Sequence, residues 1–127
     1  MADAPARFKD LCLDARDHQS LADWWCAALG YVRRDDLEDA ETPEDDEPRR
    51  HDWPVPIVDP SGEGPLMWIV PVPEPKIVKN RMHFDVVGET WPLLSAGAMM
   101  VRPRDEEIEW DVLADPEGNE FCVFAPE

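Results

Sequence analysis

Hydrophobic and polar residues alternate near the start of the chain, in the stretch FKDLCLDARD. Leu11 and Leu13 point to one side of an extended backbone, whereas Asp10 and Cys12 point to the other. Alternation of this kind is typical of a β-strand that buries one of its two faces. The pattern therefore predicts that the fold begins with a half-buried strand.

Helical spacing replaces the alternation in the next segment, where apolar residues recur at steps of three and four. Asp17 is suited to cap the first turn, and Gly30 is suited to end the last one. These signals predict a helix that buries both of its tryptophans. Its apolar face consists of Leu21, Trp24, Trp25, Ala28 and Leu29.

Strand character returns in YVRRD and again in WPVPIV. Pro54 and Pro56 lack a backbone N–H, so the second of these strands is expected at a sheet edge or at a bulge. Between the two strands, nine of the thirteen residues in 35–47 are acidic. Because such a segment has almost nothing to bury, it predicts a solvated, mobile loop.

An Asp-Pro-X-Gly motif occurs twice, at residues 59–62 and 115–118. Proline fits the second position of a tight turn, and aspartate bonds the backbone ahead of it. Glycine adopts the left-handed conformation that closes a hairpin. An apolar run follows each copy, so each copy predicts a hairpin. The repeat indicates that the chain builds the same substructure twice.

The order of elements after the first hairpin repeats the order before it. RMHFDVV predicts a strand with His83 and Asp85 on one face, ETWPLLSAG predicts a short helix, and AMMVRPR, IEWDVLA and EFCVF predict three more strands. We therefore predict an α+β fold of two βαβββ modules, about 6–71 and about 79–126, joined by a proline-rich linker at 72–78. The modules are expected to pair as a single domain of 127 residues, in which a curved mixed sheet encloses a trough.

The composition restricts the classes of partner. The chain has 29 acidic and 12 basic residues, which give a formal net charge of −17. This acidity repels the phosphates of nucleic acids and anionic membrane surfaces, and it attracts cations. No apolar run approaches the roughly 20 residues that span a bilayer, and the first residues lack an apolar targeting core. We therefore expect a cytoplasmic protein that binds neither nucleic acid nor membrane.

The order of elements resembles the vicinal oxygen chelate superfamily, which groups glyoxalases, bleomycin-resistance proteins and extradiol dioxygenases. The resemblance rests on DARDHQSLADWWCAALGY at the first helix, KNRMHFDV at the strand that opens the second module, and DPEGNEFCVF at the last hairpin. These motifs together span almost the whole chain. The resemblance implies a glyoxalase-like fold and a homodimer.

Catalytic members of that superfamily hold a divalent metal with four ligands, one each from the first and last strand of each module. By strand position, the resemblance assigns these places to Asp10, approximately Leu66, His83 and Cys122. A carboxylate, an imidazole and a thiolate can bind a metal, whereas a leucine cannot. The resemblance therefore implies an incomplete site and no required cofactor. A divalent metal at Asp10 and His83 remains the open alternative.

Chemistry without a metal is also open to these residues. Asp85 can orient His83 as a base, and Cys12 or Cys122 can act as a nucleophile beside it. No local motif marks any of the four as catalytic. Cysteines in strands are more often small buried residues, and the absence of a C-x-x-C pair indicates reduced thiols.

Tryptophans supply the remaining candidates. Trp53, Trp68 and Trp110 fall in predicted strands, where an indole can stack on a planar or cationic ligand. Burial against a helix or a dimer partner is at least as good a use of the same side chains. The predicted ligand-binding residues are Asp10, Cys12, Trp68, His83, Asp85, Trp110 and Cys122.

Two functions from different classes are consistent with these features. The first is a glyoxalase-like small-molecule-binding protein of the bleomycin-resistance type, which lacks the full metal site and binds a cationic or aromatic compound. The second is a divalent-metal-dependent lyase, isomerase or dioxygenase, in which the metal polarises substrate oxygens. The missing donor near position 66 favours the first.

Overall fold

The computed structural model describes residue 5, residues 8–37 and residues 50–126. The chain divides into two compact units, Met1–Val72 and Pro73–Glu127. The first unit contains the first predicted module, and the second unit contains the second. No helix among the described residues is both long enough and apolar enough to cross a membrane.

The first unit consists of β1 (Leu11–Ala15), α1 (His18–Leu29), β2 (Val32–Arg33), a turn of 3-10 helix (Arg34–Asp36), β3 (Val55–Val58) and β4 (Met67–Pro71). Its four strands form one sheet in the order β1-β4-β3-β2. β1 runs parallel to β4, and the other neighbouring strands are antiparallel. The first strand of the unit therefore pairs with the last.

The second unit consists of β5 (Phe84–Val87), α2 (Thr90–Ser95), β6 (Met99–Arg102), β7 (Asp111–Ala114) and β8 (Glu120–Phe124). Its sheet has the order β5-β8-β7-β6, again with one parallel pair between the first and last strands. The strand order repeats that of the first unit. The predicted α+β class and the repeated βαβββ order are confirmed.

The helix α1 begins and ends where the sequence signals place it. The Asp17 carboxylate accepts a hydrogen bond of 3.2 Å from the Ser20 backbone N–H, and Gly30 ends the helix at a φ of 73°. α1 lies against β3 and β4. Trp25 is buried there, but Trp24 is only half-buried and packs edge-on against Trp25. The prediction that the helix buries both tryptophans is therefore right for Trp25 alone.

Each unit has a core of buried apolar side chains. In the first unit α1 contributes Leu21 and Trp25, and the facing strands contribute Val55, Ile57, Met67 and Ile69. In the second unit the central strands contribute Leu113, Phe121 and Val123. The core positions therefore concentrate on the two inner strands of each sheet, and this burial specifies the register in which those strands pair.

Both Asp-Pro-X-Gly motifs form the predicted hairpins. The Gly62 backbone N–H donates to the Asp59 carbonyl at 2.9 Å, and the Gly118 N–H donates to the Asp115 carbonyl at 2.8 Å. Gly62 has a φ of 80° and Gly118 a φ of 92°, values that favour glycine. The first hairpin joins β3 to β4, and the second joins β7 to β8.

Three sequence expectations need correction or lie outside the described residues. β3 is not an edge strand, because it pairs with β4 on one side and with β2 on the other. Pro56 is tolerated there because β2 reaches only Ile57 and Val58. Trp53 and Trp110 precede β3 and β7 rather than lying in them. The proposed mobile loop lies outside the described residues from position 38 onward.

Candidate functional site

The open face of the first sheet carries a group of polar and aromatic side chains that we call the Trp68 cluster, namely Asp10, Cys12, Arg34 and Trp68. The parallel register places Cys12 directly opposite Trp68. Met67 and Ile69, on either side of Trp68 in β4, are buried. Because successive strand residues face opposite sides, Trp68 and Cys12 project from the less buried face.

Asp10 links the members of the Trp68 cluster. One carboxylate oxygen accepts hydrogen bonds from the Lys9 ammonium at 2.7 Å and from the Trp68 indole N–H at 3.2 Å. The Cys12 Sγ lies 3.9 Å from the other oxygen. The Lys9 hydrogen bond lowers the pKa of Asp10, and the Trp68 N–H lowers it further, while burial opposes both. Asp10 is therefore an anion that fixes the orientation of the indole ring.

Arg34 completes the Trp68 cluster from the 3-10 turn. Its guanidinium carbon lies 5.0 Å from the centroid of the Trp68 ring, within the range of a cation–π contact. Arg34 was not among the sequence candidates, because nothing in YVRRD distinguishes it from Arg33. Arg33 instead binds Asp23 and Gln19 on α1. Arg33 ends β2 and Arg34 begins the 3-10 turn, so the two side chains point in different directions. The sequence alone does not show where this turn begins.

The second unit holds a compact group that we call the His83 cluster, namely His83, Asp85 and Cys122. Asp85 in β5 lies directly opposite Cys122 in β8, and His83 immediately precedes β5. The His83 Nδ1 lies 3.2 Å from an Asp85 carboxylate oxygen and 3.8 Å from the Cys122 Sγ. The potential ligand atoms of the three residues all lie within 4.8 Å of one another.

Burial differs sharply within the His83 cluster. The His83 and Asp85 side chains are 43% and 56% exposed, whereas Cys122 is buried. Burial raises the pKa of the Cys122 thiol, and the negative charge of Asp85 raises it further. Cys122 is consequently a protonated thiol near neutral pH, which disfavours its use as an unassisted nucleophile.

The two clusters occupy equivalent positions in the two repeats. Asp10 and His83 each precede the first strand of their unit by one residue. Two residues further on, Cys12 faces Trp68 and Asp85 faces Cys122. The strand register therefore makes Trp68, rather than Leu66, the counterpart of Cys122. A sequence without a known register cannot locate such a counterpart to within two residues.

The donors do not fit the four-ligand metal site that the resemblance implies. In the first unit, Asp10 is already bonded to an ammonium and an indole N–H. Neither Leu66 nor Trp68 offers a metal-binding atom, since an indole N–H is a donor only. The first unit therefore supplies one donor where that site requires two.

Trp110, the remaining candidate, belongs to neither cluster. Its ring packs against Phe124 of β8, with centroids 5.4 Å apart and planes inclined by 32°. Trp110 is half-buried. This contact is aromatic packing against a strand of the same unit, rather than against a helix.

Comparison with known proteins gives a family-model match and several solved structures that are similar over most of the chain. Residues 10–124 match a family model described as a glyoxalase-like domain. A glyoxalase/bleomycin resistance protein/dioxygenase family enzyme from Burkholderia phytofirmans PsJN has a similar structure, with a TM-score of 0.59 and 15% identity over 91% of this chain and 94% of that chain. A possible glyoxalase from Bacillus cereus gives a TM-score of 0.59 and 13% identity over 93% and 97% of the two chains.

A third solved structure extends the same pattern. The glyoxalase/bleomycin resistance protein/dioxygenase from Alicyclobacillus acidocaldarius gives a TM-score of 0.51 and 17% identity, covering 98% of this chain and 95% of that one. Identities this low indicate a shared fold and carry no information on ligands. Comparison with curated proteins gives no significant match.

Proposed function

Because this chain belongs to the family of glyoxalase-like domains, we propose that it is a small-molecule-binding protein of the bleomycin-resistance type, and that its ligand is a flat organic cation. The fold hosts both enzymes and binding proteins, so the function must be argued from the side chains at the site. The Trp68 cluster in the first unit supplies that argument.

The observation that carries the proposal is the placement of the Arg34 guanidinium over the Trp68 ring, at 5.0 Å from the centroid. A guanidinium is a planar, delocalised cation, and it stacks on aromatic rings more readily than an ammonium. The Trp68 ring therefore already accepts a group with the chemistry of the proposed ligand. A flat cation that takes the place of Arg34 would meet the same ring face.

Charge around the ring supports the same ligand class. The Asp10 carboxylate holds the indole N–H at 3.2 Å, so a negative charge lies beside the stacking surface. The formal net charge of −17 adds a field that concentrates small cations near the protein. A neutral aromatic compound would gain only the stacking contribution.

The alternative, a divalent-metal-dependent lyase, isomerase or dioxygenase, finds less support. Such an enzyme would need the four donors that the superfamily resemblance implies, and the first unit contributes only Asp10. Trp68 stands where a second donor would be required. The Trp68 cluster, which contains only one such donor, is instead suited to binding an organic cation.

Replacement of Trp68 by leucine is expected to weaken binding of N-methylquinolinium, a permanently charged flat cation. A cation–π contact contributes about 0.5–2 kcal/mol, so the dissociation constant should rise by roughly 2- to 30-fold. Isothermal titration calorimetry measures the change directly. Neutral quinoline serves as the uncharged probe, and it should bind the original protein more weakly than the cation does.

Trp91→Leu is the matched control for this experiment, since Trp91 is 69% exposed on α2 in the second unit. It should leave the affinity for N-methylquinolinium unchanged. Equal affinity of Trp68→Leu and the original protein, or equal binding of quinoline and its cation, would refute the proposal.

Replacement of Arg34 by alanine is expected to strengthen binding of the same cation. Arg34 competes with the ligand for the Trp68 ring, and an exposed contact of this kind contributes about 0.5–1 kcal/mol, equivalent to roughly a two- to fivefold gain in affinity. Arg50→Ala provides the control, because Arg50 is an exposed arginine of the same unit that pairs with Asp52. A loss of affinity in Arg34→Ala would show that Arg34 helps to form the site rather than competing for the ring, and would contradict this account.

A further inference from the structure

We propose that the His83 cluster binds a thiophilic divalent cation of the Zn²⁺ class through the imidazole of His83, the carboxylate of Asp85 and the thiolate of Cys122. This site differs from the four-ligand set that the superfamily resemblance implies, because all of its donors come from one unit and Asp85 is added. It also goes beyond the proposed function, since it uses none of the residues of the Trp68 cluster.

The spacing of the three donor atoms is the first step. Zinc bonds to nitrogen or oxygen are about 2.0–2.2 Å and bonds to sulfur about 2.3 Å, so tetrahedral ligands lie roughly 3.3–3.7 Å apart. The His83 Nδ1 is 3.2 Å from the Asp85 carboxylate oxygen and 3.8 Å from the Cys122 Sγ. Coordination therefore requires only small side-chain adjustments.

The backbone holds the donors on one face. Asp85 and Cys122 are direct partners in the parallel β5–β8 register, and His83 lies two residues before Asp85. Parallel pairing fixes which side chains stand next to each other, because a slip of one residue would turn Cys122 to the opposite face. Two of the three donors are thus on regular strands, and the third immediately precedes one.

The three groups bond to one another when no ion is bound. The Asp85 carboxylate can accept hydrogen bonds from both the His83 Nδ1–H and the Cys122 thiol. A bound cation would replace these hydrogen bonds, because each of the three groups then offers a lone pair to the same ion. On binding, the Cys122 thiol loses its proton to solvent as the sulfur–metal bond forms.

The donor set also selects among cations. One nitrogen, one oxygen and one sulfur ligand suit zinc or cobalt, whereas Mg²⁺ and Ca²⁺ prefer oxygen ligands alone. Cys122 is buried beneath two more exposed partners, His83 and Asp85. The ion would therefore keep a fourth position that faces water, as in three-ligand zinc sites.

The test uses the full chain, stripped of metal with a chelator, dialysed under reducing conditions and titrated with Co²⁺ alone. We expect one equivalent to bind and to produce the near-ultraviolet charge-transfer absorption of a cobalt–thiolate bond. Zn²⁺ should displace the cobalt and remove the absorption, whereas Mg²⁺ should not. Failure of Co²⁺ to bind stoichiometrically, or binding without the thiolate absorption, would overturn the proposal.

Single substitutions test which side chains bind the ion. Cys122→Ser should abolish the absorption, and Asp85→Asn should keep it while the affinity for Zn²⁺ falls by at least about tenfold. Asp85 is 56% exposed, so its variant folds even if the change at buried Cys122 impairs folding. Cys12→Ser, which alters an exposed thiol in the first unit, is the matched control and should retain the absorption. Absorption that survives in Cys122→Ser, or disappears in Cys12→Ser, contradicts the assignment.

Discussion

Replacement of Asp115 by alanine should destabilise the protein by roughly 3 kcal/mol, because it removes a fully buried acceptor that holds the turn together. The Asp115 side chain is 0% exposed. Its carboxylate accepts hydrogen bonds from the backbone N–H groups of Glu117 at 2.9 Å and Asn119 at 3.0 Å. It also accepts from the Asn119 side-chain amide at 2.9 Å. Alanine would leave all of these donors without this acceptor.

The other copy of the motif supplies the matched control. Asp59 makes the corresponding contacts, and it accepts from the Ser61 and Gly64 backbone N–H groups at 2.8 and 2.9 Å. The first turn is more exposed than the second, so water can replace the lost acceptor. Asp59→Ala should therefore destabilise the protein clearly less than Asp115→Ala. Urea unfolding measures both changes, and equal losses in the two variants would contradict the role assigned to burial.

Replacement of Asp111 by asparagine should lower the free energy of unfolding by roughly 2 kcal/mol near pH 7. Asp111 is buried, and its carboxylate accepts two hydrogen bonds from the Arg104 guanidinium, one from the Arg104 backbone N–H and one from the Thr90 hydroxyl. The Arg104 side chain is the main cause that lowers the pKa of Asp111 from 3.8 to about 2. Asparagine keeps the shape of the side chain but not its charge.

The effect of this change should depend on pH in a defined direction. Because folding lowers the pKa of Asp111, its contribution is fully present well above 3.8, and it is lost as the pH falls through about 2. The stabilities of Asp111→Asn and the original protein should therefore converge in acid. Glu109→Gln, at an exposed position two residues away, should change the stability little at any pH. A difference that persists unchanged at low pH would show that shape, not charge, carries the effect.

The sequence predicts the repeated architecture because the repeat depends on short motifs whose effect on the backbone is local. The turns need only Asp, Pro and Gly at fixed spacing, and α1 needs only a cap at Asp17 and a stop at Gly30. Each of these signals acts within a few residues, so neither the other unit nor the register of the sheet alters it. Both hairpins and the helix are therefore found at the predicted places.

Features that depend on the register could not be predicted in the same way. Pro56 indicates an edge strand, yet β3 is an inner strand because the short β2 stops before it reaches that residue. Trp24 shares the apolar stripe of α1, but the sheet beneath the helix covers Trp25 rather than both rings. In each case, the extent of a neighbouring element decides the outcome, and that extent is not encoded locally.

The candidate site likewise combines features that the local sequence predicts with features that depend on strand pairing. The alternation in RMHFDVV places His83 and Asp85 on one face, and the structure brings them within 3.2 Å of each other. The pairing of Asp85 with Cys122 and the contact of Arg34 with Trp68 join residues that are far apart in the chain. The sequence names Trp68, Asp85 and Cys122 as candidates but not Arg34, and only the folded sheet shows which of these residues are neighbours.

The parallel pairing of first and last strands governs how the chain can be shortened. β8 lies between β5 and β7, and it is the last strand of its unit. A nascent chain cannot complete this sheet until residues 120–124 have left the ribosome. Until then β5 has no β8 to pair with. A truncation after residue 114 would therefore remove the middle of the second sheet rather than trim its edge, whereas loss of the first strand would leave the antiparallel ladder of the first unit in place.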